Sequence, residues 1–207
     1  MITEFIWDFD GMLFDTYPHT TAALCEHLRR KGRPADPEEA FKVLKVSIRD
    51  AFRAFGVTAE EEADFYAIEH DFTFEPHGVP YEGVPEMLKF IVENGGRNYL
   101  FTHRDHVAVI YLEKYGLKEL FTDFVTREEG FAFKPAPDAI NYLIEKHALD
   151  KDSCIMLGDR EIDCLSGLNA GISALLFDEF SSLDGGPYPY YETTVQGVFE
   201  RVKKLLK

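Results

Sequence analysis

An α/β fold, with a mainly parallel sheet covered by helices on both faces and a small helical insertion after the first strand, is what this 207-residue sequence predicts. Short apolar runs recur along the chain, amphipathic helical patterns lie between them, and the stretch from Tyr17 to Pro80 has helical patterns without a convincing strand.

The first run, Phe5-Ile6-Trp7, stops at Asp8. Comparable runs stand at Tyr99 to Phe101, Phe124 to Val125, Cys154 to Leu157 and Ala174 to Phe177, each short enough for a buried strand. Between them Val84, Met87, Leu88 and Ile91 recur at helical spacing. So do Ile140, Leu143, Ile144 and His147, and then Val198, Phe199, Val202, Leu205 and Leu206. In the insertion, Asp36-Pro37-Glu38-Glu39 reads as a helix start, with Asp as cap, Pro in the first turn and acids where the helix dipole favours them. Thr58-Ala59-Glu60-Glu61 has capping-box spacing, and Phe65, Ile68 and Phe72 follow as one apolar stripe. The segment from Ser181 to Thr194, with Gly185-Gly186-Pro187, reads as a surface loop before the last helix.

Composition acts mainly by exclusion. A formal charge of −15 argues against a nucleic-acid backbone as partner, which needs clustered Lys and Arg. The same field repels a phosphorylated metabolite, so a site for one must reverse the sign locally with a divalent cation or placed basic groups. No apolar stretch approaches the roughly 20 residues that span a bilayer. Met1 to Asp8 lacks the basic and apolar regions of a secretory signal, and Cys25, Cys154 and Cys164 stand at no metal-ligand spacing. Free thiols in the cytoplasm are therefore expected.

Candidate chemistry gathers where strands end. In an open parallel sheet the carboxyl ends of the strands face the ligand crevice. Asp8-Phe9-Asp10-Gly11 begins there, and extended backbone can put both carboxylates on one side while Phe9 turns inward. Thr102 closes the second run with a hydroxyl, Lys134 precedes the rigid Pro135-Ala136-Pro137 segment, and Leu157-Gly158-Asp159 ends a strand with Asp163 four residues on. Each alone has an ordinary structural explanation as a turn, a helix cap, a solvated charge or a favourable first-turn acid. Together they place a nucleophile, a hydroxyl, an ammonium and metal-type acids at one edge of one sheet.

In this order the four segments resemble the sequence motifs of the haloacid dehalogenase-like hydrolases, over nearly the whole chain. Pro80-Tyr81-Glu82-Gly83-Val84, Lys134-Pro135-Ala136-Pro137-Asp138 and Asn169-Ala170-Gly171 resemble its phosphoglycolate phosphatase and beta-phosphoglucomutase branch. The resemblance implies a Rossmann-like catalytic core over residues 1–16 and 81–207, and a helical cap over residues 17–80 that closes on hinges near Asp15 to Pro18 and Val79 to Gly83. It implies a phosphatase for a small phosphorylated metabolite, with Asp8 as the nucleophile that becomes an aspartyl phosphate and Asp10 as general acid and base. It further implies Mg²⁺ held by Asp8, the Asp10 carbonyl and Asp159, with Asp163 beside the metal or orienting Lys134. Thr102, His103 and Lys134 would bind the phosphate.

Some residues depart from the branch. Arg160 follows Asp159 where Ser or Thr is common, and either takes a second anionic group of the substrate or pairs with Glu161 or another surface acid. His103 and Arg104 follow the motif threonine, and Arg49 is a specificity residue or an exposed helix-end arginine. A sugar phosphomutase is the alternative, but His19 lies one position before the hinge histidine of mutases, where Thr20 stands. A catalytically silent phosphate-binding protein is the third reading, opposed by a filled set of catalytic positions.

Overall fold

The computed structural model describes residues 1–181, 186 and 188–207, and the chain divides into two compact units, Met1–Phe14 with Pro80–Lys207, and Asp15–Val79. In chain order the first half holds β1 (Glu4–Trp7), β2 (Phe14–Asp15), α1 (Tyr17–Arg30), α2 (Pro37–Leu44), α3 (Ile48–Phe55), α4 (Ala59–Glu69), β3 (Val79–Pro80) and α5 (Val84–Glu93). The second holds β4 (Arg97–Phe101), α6 (Val107–Lys114), β5 (Phe121–Val125), α7 (Asp138–His147), β6 (Cys154–Gly158), α8 (Glu161–Ala170), β7 (Ser173–Phe177), β8 (Tyr190–Glu192) and α9 (Val195–Leu205).

The sheet of the larger unit has the order β5-β4-β1-β6-β7-β8 with parallel pairings. From β1 the chain builds outward to β4 and β5, then returns to lay β6 on the other side of β1. The order reverses there, which opens a crevice at the carboxyl ends of the strands. Register brings Trp7 level with Leu100 and Leu157, so β1, β4 and β6 release the chain at one edge.

Each apolar run is part of a longer strand. Polar Arg97 and Asn98 hid the start of β4, and Thr122 and Asp123 interrupted β5. The expected loop from Ser181 to Thr194 is corrected, because it contains β8, which pairs with β7 through Tyr190 opposite Leu175. Three residues at a sheet edge are too few to show alternation. Gly185 and Pro187 of that segment lie outside the described residues.

The two sheet faces bury different sets. Ile6, Tyr99, Phe101 and Met156 share a core with Ala139, Ile140, Leu143 and Ile144 of α7. On the other face, Asn98 accepts from Trp7 Nε1 at 2.9 Å and donates to the carbonyls of Leu88 and Leu120, so a fully buried amide is satisfied within a strand. Helix α5 buries the four residues its spacing predicted, each removed from water at a gain of about 1.5–3 kcal/mol.

The smaller unit has its own core, in which Leu24, Leu28, Leu44, Phe52, Phe65 and Ile68 are buried. Asp36 caps α2 by accepting from the Glu38 and Glu39 amides, and the Thr58 amide donates to Glu61 at 3.3 Å as the capping box requires. The expected stripe is shorter than its spacing, because α4 stops at Glu69 and Phe72 falls beyond it. Asp71 accepts from the Thr73 amide and hydroxyl, a local turn that competes with continued helix. His19 is buried, with its ring nitrogens 2.6 and 2.7 Å from the carbonyl oxygens of Pro76 and Glu69.

Candidate active site

Asp8 follows β1 and is almost fully buried; Lys134, from the segment after β5, donates to its Oδ1 at 2.5 Å. The same ammonium meets Asp163 Oδ1 at 2.8 Å and lies 4.5 Å from the centre of the Phe101 ring. One cation thus bridges two acids against an aromatic face. Asp159 follows β6, and Asp8, Asp159 and Asp163 offer carboxylate oxygens within 4.8 Å of one another.

Asp163 is set by its helix. It occupies the first turn of α8, where its Oδ2 accepts from the Arg160 amide at 3.0 Å. Gly158 makes room for it, since a Cβ there would run into the Asp163 side chain. Gly158→Ala should therefore displace Asp163 and cost about 1–3 kcal/mol of stability, read as a lower urea midpoint.

Charge is unevenly shared in this cluster. Burial pushes the Asp8 carboxyl up to about 7; Lys134 and Arg160 oppose the rise, and Asp163 and Asp159 add to it. Burial also works against an ionised Asp163, but Lys134 and Arg160 outweigh it and hold its carboxyl below the usual range. For Lys134, Asp163 and Asp8 overcome the effect of burial and keep its ammonium charged. Asp163 thus keeps its negative charge while Asp8 takes the larger penalty. Asp8 Oδ2 is buried with no hydrogen-bond partner. An unsatisfied carboxylate oxygen beside Asp159, in a cluster of hard oxygen donors, fits a divalent cation such as Mg²⁺.

The remaining sequence candidates divide. Thr102 follows β4; its Oγ1 accepts from the Arg104 amide at 3.0 Å, which leaves the hydroxyl hydrogen for a ligand oxygen. His103 Nε2 accepts from the Lys134 amide at 2.8 Å, and its ring packs on Phe133 and Phe101. His103 therefore holds the lysine segment by its backbone. The Asp10 carboxylate lies outside the acid cluster and is gripped by Arg104. That grip carried no sequence signal beyond a basic residue two positions after Thr102.

Arg160 is corrected in one respect. Its Nε lies 3.8 Å from Asp159 Oδ1 and from Asp163 Oδ2, while Glu161 accepts from Tyr188. The guanidinium follows the buried acids, where the negative charge is densest. Arg49 is exposed in the first turn of α3, in the smaller unit.

Among the described residues no helix is long and apolar enough to cross a membrane. A phosphoglycolate phosphatase of Vibrio parahaemolyticus is 27% identical over 189 residues, covering 81% of this chain and 80% of that protein. Pyrophosphatase PpaX of Halalkalibacterium halodurans is 26% identical over 178 residues, covering 83% and 81%. The solved structure of a hydrolase from Streptococcus pneumoniae TIGR4 is 34% identical and covers 85% of this chain and 92% of its own, with a TM-score of 0.64. A subfamily IA hydrolase structure from Geobacter sulfurreducens, 21% identical over 100% of this chain and 97% of its own, shares the fold with a TM-score of 0.77. A family model described as haloacid dehalogenase-like hydrolase matches residues 5–177. The chain belongs to the haloacid dehalogenase-like hydrolases, in their phosphoglycolate phosphatase-like branch.

Proposed function

We propose that this hydrolase is a Mg²⁺-dependent phosphatase that releases phosphate from a small phosphorylated metabolite through an aspartyl phosphate on Asp8. The observation that carries the reading is the buried Asp8 carboxylate, with Oδ1 on Lys134 and Oδ2 left without a partner beside Asp159. Relatives named for phosphoglycolate and pyrophosphate support a small phosphorylated substrate. Three free cysteines support a reducing, cytoplasmic setting.

Asp8 and Asp159, with the Asp10 carbonyl, would hold the Mg²⁺, whose charge lets an anionic carboxylate approach an anionic phosphate. An Asp8 oxygen forms a bond to phosphorus as the bond from phosphorus to the leaving oxygen breaks, and Asp10 supplies that oxygen with a proton. Asp10 then takes a proton from the water that attacks the aspartyl phosphate, which returns Asp8 to a carboxylate. Lys134 and Thr102 bind the phosphate oxygens that do not react, and Asp163 keeps the ammonium aimed. His19 already faces two backbone carbonyls, which supports a hydrolase over a sugar phosphomutase.

A screen of phosphorylated metabolites with Mg²⁺ tests the reading, with free phosphate as the readout. Release that depends on the metal is expected; isomerised product or no turnover would sink it. The Asp8 carboxyl adds a pH dependence. Raised from 3.8 to about 7, it makes the folded, metal-free chain hold a proton more tightly than the unfolded one. That contribution to stability is complete below the ordinary value and is lost as pH climbs through about 7. The proton also competes with the cation, so the rise in Tm produced by Mg²⁺ should grow between about pH 6 and about pH 8, checked by melting with Mg²⁺ and with a chelator.

A further inference from the structure

We propose that Arg104 is a positioning residue that fixes the orientation of the Asp10 carboxyl group, and through it the delivery of a proton to the leaving oxygen. The inference rests on the acid and base role read for Asp10 above. Arg104 Nε lies 3.0 Å from Asp10 Oδ1 and 3.2 Å from Oδ2, and an Nη lies 2.9 Å from Oδ1. Both carboxylate oxygens are therefore engaged by one planar group, which constrains the side-chain torsions as a point charge does not.

Arg104 is itself held. Its side chain is only 11% exposed, its guanidinium lies 5.9 Å from the centre of the Phe9 ring, its amide donates to Thr102 Oγ1 and its carbonyl accepts from the Arg127 amide. Asp10 follows the end of β1, and its side chain is 26% exposed. The better-anchored partner sets the position of the other. The contact thus differs from an exposed ion pair, which holds neither partner in place. An arginine cannot release its own proton, so Arg104 is not itself the donor to the leaving oxygen.

The chemistry makes this separable from a purely structural role. As the Asp8 oxygen bonds to phosphorus and the bond to the leaving oxygen breaks, that oxygen gathers negative charge and takes the Asp10 proton. A basic leaving group such as an alkoxide depends on that proton far more than p-nitrophenolate does. Loss of Arg104 should therefore be felt in proportion to leaving-group basicity.

The experiment compares kcat and KM for p-nitrophenyl phosphate and a simple alkyl phosphate in the parent, Arg104→Met, Arg104→Lys, Asp10→Asn and the Arg104→Met, Asp10→Asn double variant. In Arg104→Met, kcat on the alkyl phosphate should fall about 100-fold, against less than about tenfold on the aryl ester, with KM changed little. Arg104→Lys should recover part of the loss, and removal of Arg104 should cost nothing further once Asp10 is Asn. Equal losses on the two substrates, a change in KM alone, or full additivity with Asp10→Asn would overturn the inference. If Arg104→Met does not fold by circular dichroism, the ratio of losses in Arg104→Lys decides by the same criterion. A parent that releases phosphate from neither these esters nor any metabolite of the screen would overturn the phosphatase reading and this inference with it, whereas an active parent with an equally active Arg104→Met overturns this inference alone.

Discussion

Asp8→Asn should abolish phosphate release, with a loss on the order of 10⁴–10⁶ in kcat, while the protein stays folded. The amide keeps the shape of the carboxylate but removes the charge that attacks phosphorus, so no covalent intermediate forms. Stability should move the other way. In the metal-free protein burial disfavours an ionised Asp8, so a neutral side chain of the same shape relieves the cluster and Tm should hold or rise at pH 8. The opposite signs of the two effects separate a lost nucleophile from a damaged fold. Phosphate release and a melting curve on the same preparation measure both, and a variant as active as the parent would remove Asp8 from the chemistry.

Lys134→Met should damage both properties at once. Its ammonium, fully enclosed, meets Asp8 at 2.5 Å and Asp163 at 2.8 Å. Removing one member of such a buried set leaves two carboxylates facing each other, at a cost of about 3–5 kcal/mol in the metal-free protein. Mg²⁺ should restore part of that stability, because a divalent cation can neutralise the acids that the lysine has left. Activity should not return with it, since the donor for the phosphate oxygens is gone and such a loss amounts to about 10²–10³ in kcat. Urea unfolding with and without Mg²⁺, beside phosphate release, gives both values. A variant as stable as the parent without metal would show that the acids do not depend on the ammonium.

The contrast between readable and unreadable features has a physical basis. The strands that lead into Asp8, Thr102 and Asp159 were legible because each is built on a short apolar run that ends one or two residues before the site residue, and burial on both faces makes such runs stand out. Lys134 was legible only through its motif, because nothing in a Lys-Pro pair announces that the ammonium is enclosed. Strand β8 was lost because three residues at an edge show no period. The grip of Arg104 on Asp10 joins residues 94 positions apart, and the contact of His103 with the Lys134 amide joins residues 31 apart. Contacts of that kind join loops that the order of the strands brings together, which local patterns do not encode. For Arg160 the sequence offers Glu161 or another surface acid as partner, yet the guanidinium lies by the buried Asp159 and Asp163, because an enclosed charge attracts more strongly than an exposed one.

The position of β1 in the sheet has a consequence for biosynthesis. It leaves the ribosome before the other strands of its sheet, yet its two neighbours begin at Arg97 and Cys154, so it waits through the whole helical insertion for one partner and for a further 57 residues for the other. The smaller unit, whose contacts are local, can condense in the meantime, while the longer loop closures around β1 come later. A nascent chain that ends before Asp159 has Asp8 but neither acid from the other side of the crevice. At the proposed metal site, cation capture would therefore be a late event in synthesis, one that waits for β6 to pair with β1.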